Sequence, residues 1–246
     1  MSGHLLEVDI TKRFGKLTVL DKVKFFVEEN EFLVIVGPTG CGKTTLANLL
    51  CGLNKPEEGS VLLHGQEINP DKHNISYVFQ EPSCIPWYTM LDDVTMGLVI
   101  KGQSQSQANK RGREVIKLVG MEGFEGYYPR QISGGMQQRV AIARAYATEP
   151  DILVMDEPFG HLDAQTRYLM QIEIMRVWQQ EKKTIVFITN NIEEAVFLGS
   201  RILVLSKLPA TIKAEHIIPF PHPRELTDPD FLRKRAQITS ECEVVE

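Results

Sequence analysis

The chain has 246 residues, 43% of them hydrophobic, and a formal net charge of -5 at pH 7. That apolar content suits one large or two small folded domains rather than a disordered chain, and the acidic balance lacks the basic footprint of a nucleic-acid binder. Cys41, Cys51, Cys84 and Cys242 show no C-x-x-C spacing and no secreted-scaffold density, which argues for reduced thiols and against a sulfur-ligated metal.

Residues 5–36 carry three strand-like runs, "LLEVDI", "KFFVEE" and "EFLVIV", separated by turn residues as in an antiparallel sheet. The third run enters a glycine-rich loop, and "KTTLANLLCG" then reads as a helix closed by Gly52. Strands "GSVLLHG" and "NISYVFQ" precede a mostly helical segment, about 81–149, broken at "EPSCIPWYT" and "YYPRQISGG". Within it the polar "KGQSQSQANK" reads as a solvated loop and helix start.

Next come "DILVMD", a helix near Gln165 to Glu181, "TIVFIT", a short helix from Ile192, and "RILVLS". Apolar strands separated by helices imply a parallel sheet covered on both faces. The tail, about 208–246, adds a strand in "ATIKAEHIIPF", a proline-rich stretch and a last helix from Asp230, with Asp228 as N-cap and Pro229 at its first position. The start lacks a secretory pattern and no run reaches the about eighteen apolar residues of a membrane span, so a cytosolic chain is expected.

"GPTGCGKTT", comprising Gly37, Pro38, Thr39, Gly40, Cys41, Gly42, Lys43, Thr44 and Thr45, fits G-x-x-x-x-G-K-[ST] between a strand and a helix. Its glycines let backbone N–H groups curl round phosphate oxygens, Lys43 reaches the outer phosphates, and Thr44 offers a hydroxyl to Mg²⁺. Cys41, close to Lys43 and a helix N-terminus, sits in an environment expected to favour the thiolate, with a shielded, unreactive thiol as the open alternative. "ILVMDEP" ends a strand on Asp156, suited to Mg²⁺, and Glu157, suited to polarising the attacking water. Alone a D-E pair is weak; with the P-loop upstream it is strong. "QISGGMQQR" sets Ser133, Gly134 and Gly135 at a helix start, which reads either as an anion site or as a plain N-cap.

Together "GPTGCGKTT", "ISGGMQQR" and "MDEPFGHLD" resemble the ATP-binding subunits of ABC transporters, over nearly the whole chain. "VFQEPSCIPWYT", "IEEAVFLGSRILVLS" and "PFPHPREL" carry a finer resemblance to the importer branch for nitrate, sulfonate, taurine and bicarbonate. The resemblance implies a single α/β P-loop NTPase domain over 1–246, with a mostly parallel core sheet, an N-terminal antiparallel β subdomain and an inserted helical subdomain. It implies ATP and Mg²⁺ as ligands, Phe14 stacked on adenine, and Gln80 on Mg²⁺ or its water. It also implies Pro86 and Trp87 near the membrane partner, and Asp163 in a loop that crosses to a second ATP-binding subunit, so that one chain's signature caps the nucleotide on the other's P-loop. Two bland alternatives stay open: a buried strand phenylalanine at 14, and a core tryptophan at 87.

The implied partners are permease transmembrane subunits, a second ATP-binding subunit of the same or another kind and, indirectly, a solute-binding protein, with no nucleic acid. That would put the chain on the cytoplasmic face of the membrane. Two positions depart from the family. Thr-His-Asp is replaced by Thr189-Asn190-Asn191, which removes the imidazole that meets the γ-phosphate and water, and "FGHLD" places His161 where a small residue is usual. An amide donates a neutral hydrogen bond but carries no proton, a loss on the order of 1 to 3 kcal/mol of transition-state stabilisation. Three functions fit: a transport ATPase, a regulatory half with weak hydrolysis, and a permease-free ATPase such as those of iron–sulfur assembly.

Overall fold

The structure is a computed structural model and describes residues 4–160 and 162–242. Its first elements are β1 (Leu6–Phe14), β2 (Leu17–Val27), β3 (Phe32–Val36), α1 (Lys43–Leu50), β4 (Glu58–Leu63), β5 (Gln66–Glu67) and β6 (Ile75–Val78). Helices α2 (Met90–Ile100), α3 (Gln105–Leu118) and α4 (Gly134–Ala147) follow, the last preceded by a 3₁₀ turn at Pro129–Gln131. The chain continues through β7 (Ile152–Asp156), α5 (Ala164–Glu181), β8 (Thr184–Thr189), α6 (Ile192–Leu198), β9 (Arg201–Leu205), β10 (Ile212–Ile217) and α7 (Pro229–Cys242). It forms two compact units: Met1–His73 with Val154–Glu157 and Lys183–Glu246, and Asn74–Leu153 with Pro158–Lys182.

The first unit holds an antiparallel sheet of order β2-β1-β4-β5. In β1, Leu6, Val8 and Ile10 are buried between exposed Glu7 and Asp9, the period-two pattern of a sheet with one face on a core. β4 crosses β1 so closely that a Cβ on Gly59, at φ 82°, would stand 1.9 Å from the Asp9 carbonyl oxygen, and only glycine fits. The run "EFLVIV" does not join this sheet, contrary to the expectation of one antiparallel set over 5–36. As β3 it pairs parallel with both β8 and β9, Phe32 opposite Ile185 and Val34 opposite Ile202. All five residues of β3 are buried, as strands covered on both faces require.

The second sheet of this unit runs β10-β9-β3-β8, with the Val154–Asp156 end of β7 beside β8 and β10 antiparallel to β9. Burial would cost Arg201, in β9, several kcal/mol were its charge unpaired, and it is matched by Glu31 at 2.6 Å and Glu215 at 2.9 Å. The C-terminal helix starts as the sequence indicates: Asp228 accepts from the N–H groups of Asp230 (2.7 Å) and Phe231 (3.3 Å). Ahead of it, the Arg224 guanidinium is buried against α6 and donates to the carbonyls of Val196 (2.6 Å) and Gly199 (2.7 Å).

The second unit contains α2, α3, α4 and α5. Thr89 with Asp92, and Ser104 with Gln107, form reciprocal capping boxes that start α2 and α3, so "KGQSQSQANK" is indeed a loop and helix start. Arg144 of α4 reaches the buried Asp93 of α2 at 2.9 Å and the Ser83 carbonyl at 2.8 Å, tying the segment after β6 to the helix that follows "ISGG". Among the described residues no helix is long and apolar enough to cross a membrane.

His222 gives this fold a pH signature. Its Nε2–H donates to the Phe197 carbonyl at 3.0 Å, and burial, then the charge of Arg224, push its pKa down to about 4. The unfolded imidazole, near 6.5, takes its proton first, so stability is full above about pH 6.5 and falls as pH drops toward 4. The melting temperature is therefore expected to fall between pH 7 and 4.5 more steeply for wild type than for His222→Asn. Parallel curves by scanning calorimetry would remove His222 from the account.

Candidate functional site

β3 delivers the chain into the P-loop, and the loop needs its glycines. Gly42 stands at φ 107°, where a Cβ would lie 2.6 Å from Val19 Cγ1. As N-cap of α1 it brings no side chain, so the first N–H groups of the helix keep their donors for an anion. Gly40, at φ 77°, opens the other turn of the loop with no atom within 4 Å of a built Cβ. Thr39 and Gly40 are exposed, Pro38 and Thr45 half-buried, and Thr44 exposed.

Lys43 is buried. Its ammonium donates to the carbonyls of Gly37 and Pro38, each at 3.1 Å, and stands 3.4 Å from Glu157 Oε1. Asp156 ends β7 and is buried; Glu157 follows with φ 44°, left-handed backbone that a non-glycine residue adopts at a cost of about 1 to 3 kcal/mol. Its N–H donates to the Ile188 carbonyl at 2.7 Å, locking that turn onto β8. Asn190, just past β8, donates a long 3.4 Å amide bond to Glu157 Oε2. The carboxylate thus meets both a cation and a neutral amide.

Asn191 is a different kind of residue. Its side chain caps α6, accepting from Glu193 N–H at 2.9 Å and Glu194 N–H at 3.2 Å, while Thr189 donates to Glu194 at 2.7 Å. Sequence reasoning missed this role, although an asparagine three residues before a glutamate is a recognisable helix start. Phe14 ends β1 and is 52% exposed, which removes the buried-phenylalanine alternative, with Lys12 Nζ 5.0 Å from its ring centre.

In the second unit, Gln80, Ser133, Gly134, Gly135 and Asp163 line one cavity of about 460 Å³. Ser133 is the N-cap of α4, accepting from Met136 N–H at 3.3 Å. Asp163 caps α5, and hydrogen bonds from Thr166 hold its carboxyl below the usual range. Trp87 is 74% exposed, so it is not local core. His161 lies outside the described residues.

An ABC transporter family model matches residues 20–160. The chain is 46% identical to an uncharacterized ABC transporter ATP-binding protein of Methanocaldococcus jannaschii, over 97% of this chain and 91% of that one. It is 36% identical to an aliphatic sulfonates import ATP-binding protein of Bacillus cereus (95% and 92% covered) and 42% identical to a taurine import ATP-binding protein of Rhizobium johnstonii (92% and 82% covered). The chain belongs to the ABC transporter family.

A bacterial ABC transporter cassette solved as a dimer superposes with TM-score 0.76 at 32% identity, over 88% of this chain and all of that one. The same cassette has been solved in a post-hydrolysis state bound to ADP and Pi. As an ABC cassette this chain is an ATP-hydrolysing transport subunit, and the α/β fold with its antiparallel N-terminal sheet is the family's.

Within that cassette the thiolate expected of Cys41 is corrected. The side chain is 2% exposed, and burial raises its pKa more than the Lys43 charge lowers it. The sequence shows the charge beside the sulfur but not the desolvation around it. Iodoacetamide at pH 7.5 is therefore expected to label Cys41 at least tenfold more slowly in the native than in the urea-unfolded chain, by mass spectrometry; equal rates would refute the burial. Lys43→Ala removes a cation whose charge-assisted bonds are worth about 1.5 to 3 kcal/mol each. Titration with a fluorescent ATP analogue should show affinity weakened by about ten- to a hundredfold; an unchanged Kd would displace the site.

Proposed function

We propose that this chain energises an importer of a small anion of the sulfonate or taurine kind, binding MgATP between two cassettes on the cytoplasmic face of a permease. The observation that carries the reading is the convergence of Lys43, Glu157 and Asn190 at the mouth of a glycine-built P-loop. The relatives named for sulfonate and taurine import support the solute class. The exposed Trp87 supports a docking role toward the permease.

The residues divide the work. Backbone N–H groups of Gly40 to Thr44 cradle the phosphates, and Lys43 turns from its carbonyl partners to the outer phosphate oxygens. Phe14 offers a π face to the base. The exposed Thr44 hydroxyl and the buried Asp156 carboxylate are hard oxygen donors, the set Mg²⁺ accepts, and the ion would neutralise charge on the phosphates. Glu157 takes the proton of the attacking water, and the Asn190 amide orients that carboxylate. Ser133 and Gly135 of a second chain close the site from the other side.

The regulatory-half reading is the weaker one, because Glu157 is present and is held by Lys43 and Asn190. A permease-free ATPase is likewise disfavoured by relatives named for import. Glu157→Gln keeps the shape of the side chain and removes the base. Turnover is expected to fall by about 10² to 10⁴, and MgATP should drive the variant to dimer in size-exclusion chromatography. A variant that hydrolyses ATP at the wild-type rate would overturn the assignment of Glu157.

A further inference from the structure

We infer that the C-terminal segment braces the catalytic edge, and that Arg224 is a positioning residue that holds Asn190 against Glu157 by clamping the far end of α6. The inference rests on the roles proposed above for Glu157 and Asn190. Asn190 sits between the end of β8 and the cap of α6. Asn191 N–H donates to Thr189 Oγ1 at 3.0 Å, and the Asn191 side chain holds the first turn of the helix. Wherever α6 shifts, Asn190 shifts with it.

α6 has seven residues, too few to be stable on its own, and its last carbonyls have no partners within the helix. Arg224 supplies them. One guanidinium nitrogen, Nη1, donates to Val196 O at 2.6 Å, Phe197 O at 3.3 Å and Gly199 O at 2.7 Å, and Nε donates to Phe220 O at 3.2 Å. The side chain is 7% exposed and its cation stands over the Phe220 ring at 5.0 Å. A cation at a helix C-terminus also opposes the negative end of its dipole, and a fork of five donors can serve several carbonyls where a lysine ammonium is a point charge.

The N-terminal end of α6 is held from the same segment, by Arg235 of α7 at 2.7 Å from Glu193. Behind α6 there is no slack, since a Cβ on Gly199 would meet Val34 Cγ2 of β3 at 3.0 Å. The clamp thus fixes a helix that lies on the strand leading into the P-loop and carries Asn190 at its other end. The tail stretch "PFPHPREL" acquires a structural role in this way, because Phe220, His222 and Arg224 all engage the C-terminal end of α6 or one another.

The test is a double-mutant cycle on steady-state ATP hydrolysis with Arg224→Gln, Asn190→Ala and the pair. Thermal melting is measured on each variant, and Lys43→Ala controls for turnover at this site. Each single substitution is expected to lower kcat about tenfold with KM for ATP within twofold, and the pair to be no slower than Asn190→Ala alone. A hundredfold loss in the pair means Arg224 does not act through Asn190 and overturns the inference, as does an Arg224→Gln enzyme with wild-type kcat. Turnover that survives Lys43→Ala would instead refute the nucleotide site on which the inference rests. If Arg224→Gln does not fold, Arg224→Lys goes through the same cycle with the same two overturning results.

Discussion

An ammonium group taken out of water must be surrounded by oxygens, and Lys43 imposes that demand on everything near it. The side chain is 6% exposed, and the carboxylate that answers its charge is Glu157, at 3.4 Å. Two backbone carbonyls of its own loop add their oxygens. Meeting them requires β3 to end where β8 ends, which their parallel pairing supplies. It also requires glycine at 42, because the loop passes too close to Val19 for any Cβ. The unusual backbone of Glu157 belongs to the same constraint, since a residue continuing the strand would project to the opposite face of the sheet instead.

That arrangement was legible in the sequence to the extent that adjacent residues fix it. The P-loop and the D-E pair are contiguous, and their residue types follow from phosphate and water chemistry. β3, β8 and β9 read as continuous apolar runs because both faces of their sheet are covered. β1 and β2 read short, since Lys12, Arg13 and Lys22 break the alternation. Lys12 is nonetheless buried, because Glu57 and the Lys55 carbonyl meet its ammonium from 45 and 43 residues away. Arg224 escaped for the same reason, its carbonyl partners at the end of α6 lying 25 to 28 residues back along the chain. Separations of that kind leave no periodic trace. Cys41 failed in another way: its charged neighbour is visible in the sequence, but the burial that outweighs it is not.

The departure from the family pattern expected at Asn190 has to be weighed inside this same group of charges. Glu157 meets a cation, Lys43, and a neutral donor, Asn190. An imidazole in place of Asn190 could carry a positive charge, whereas the amide cannot. Under the role proposed for Asn190, the amide gives up a charge-assisted bond and keeps a neutral one, at 3.4 Å to Glu157. That neutral bond lasts only while Asn190 is held within reach of Glu157, which makes the rigidity of α6 matter to the proposed chemistry as well as to packing.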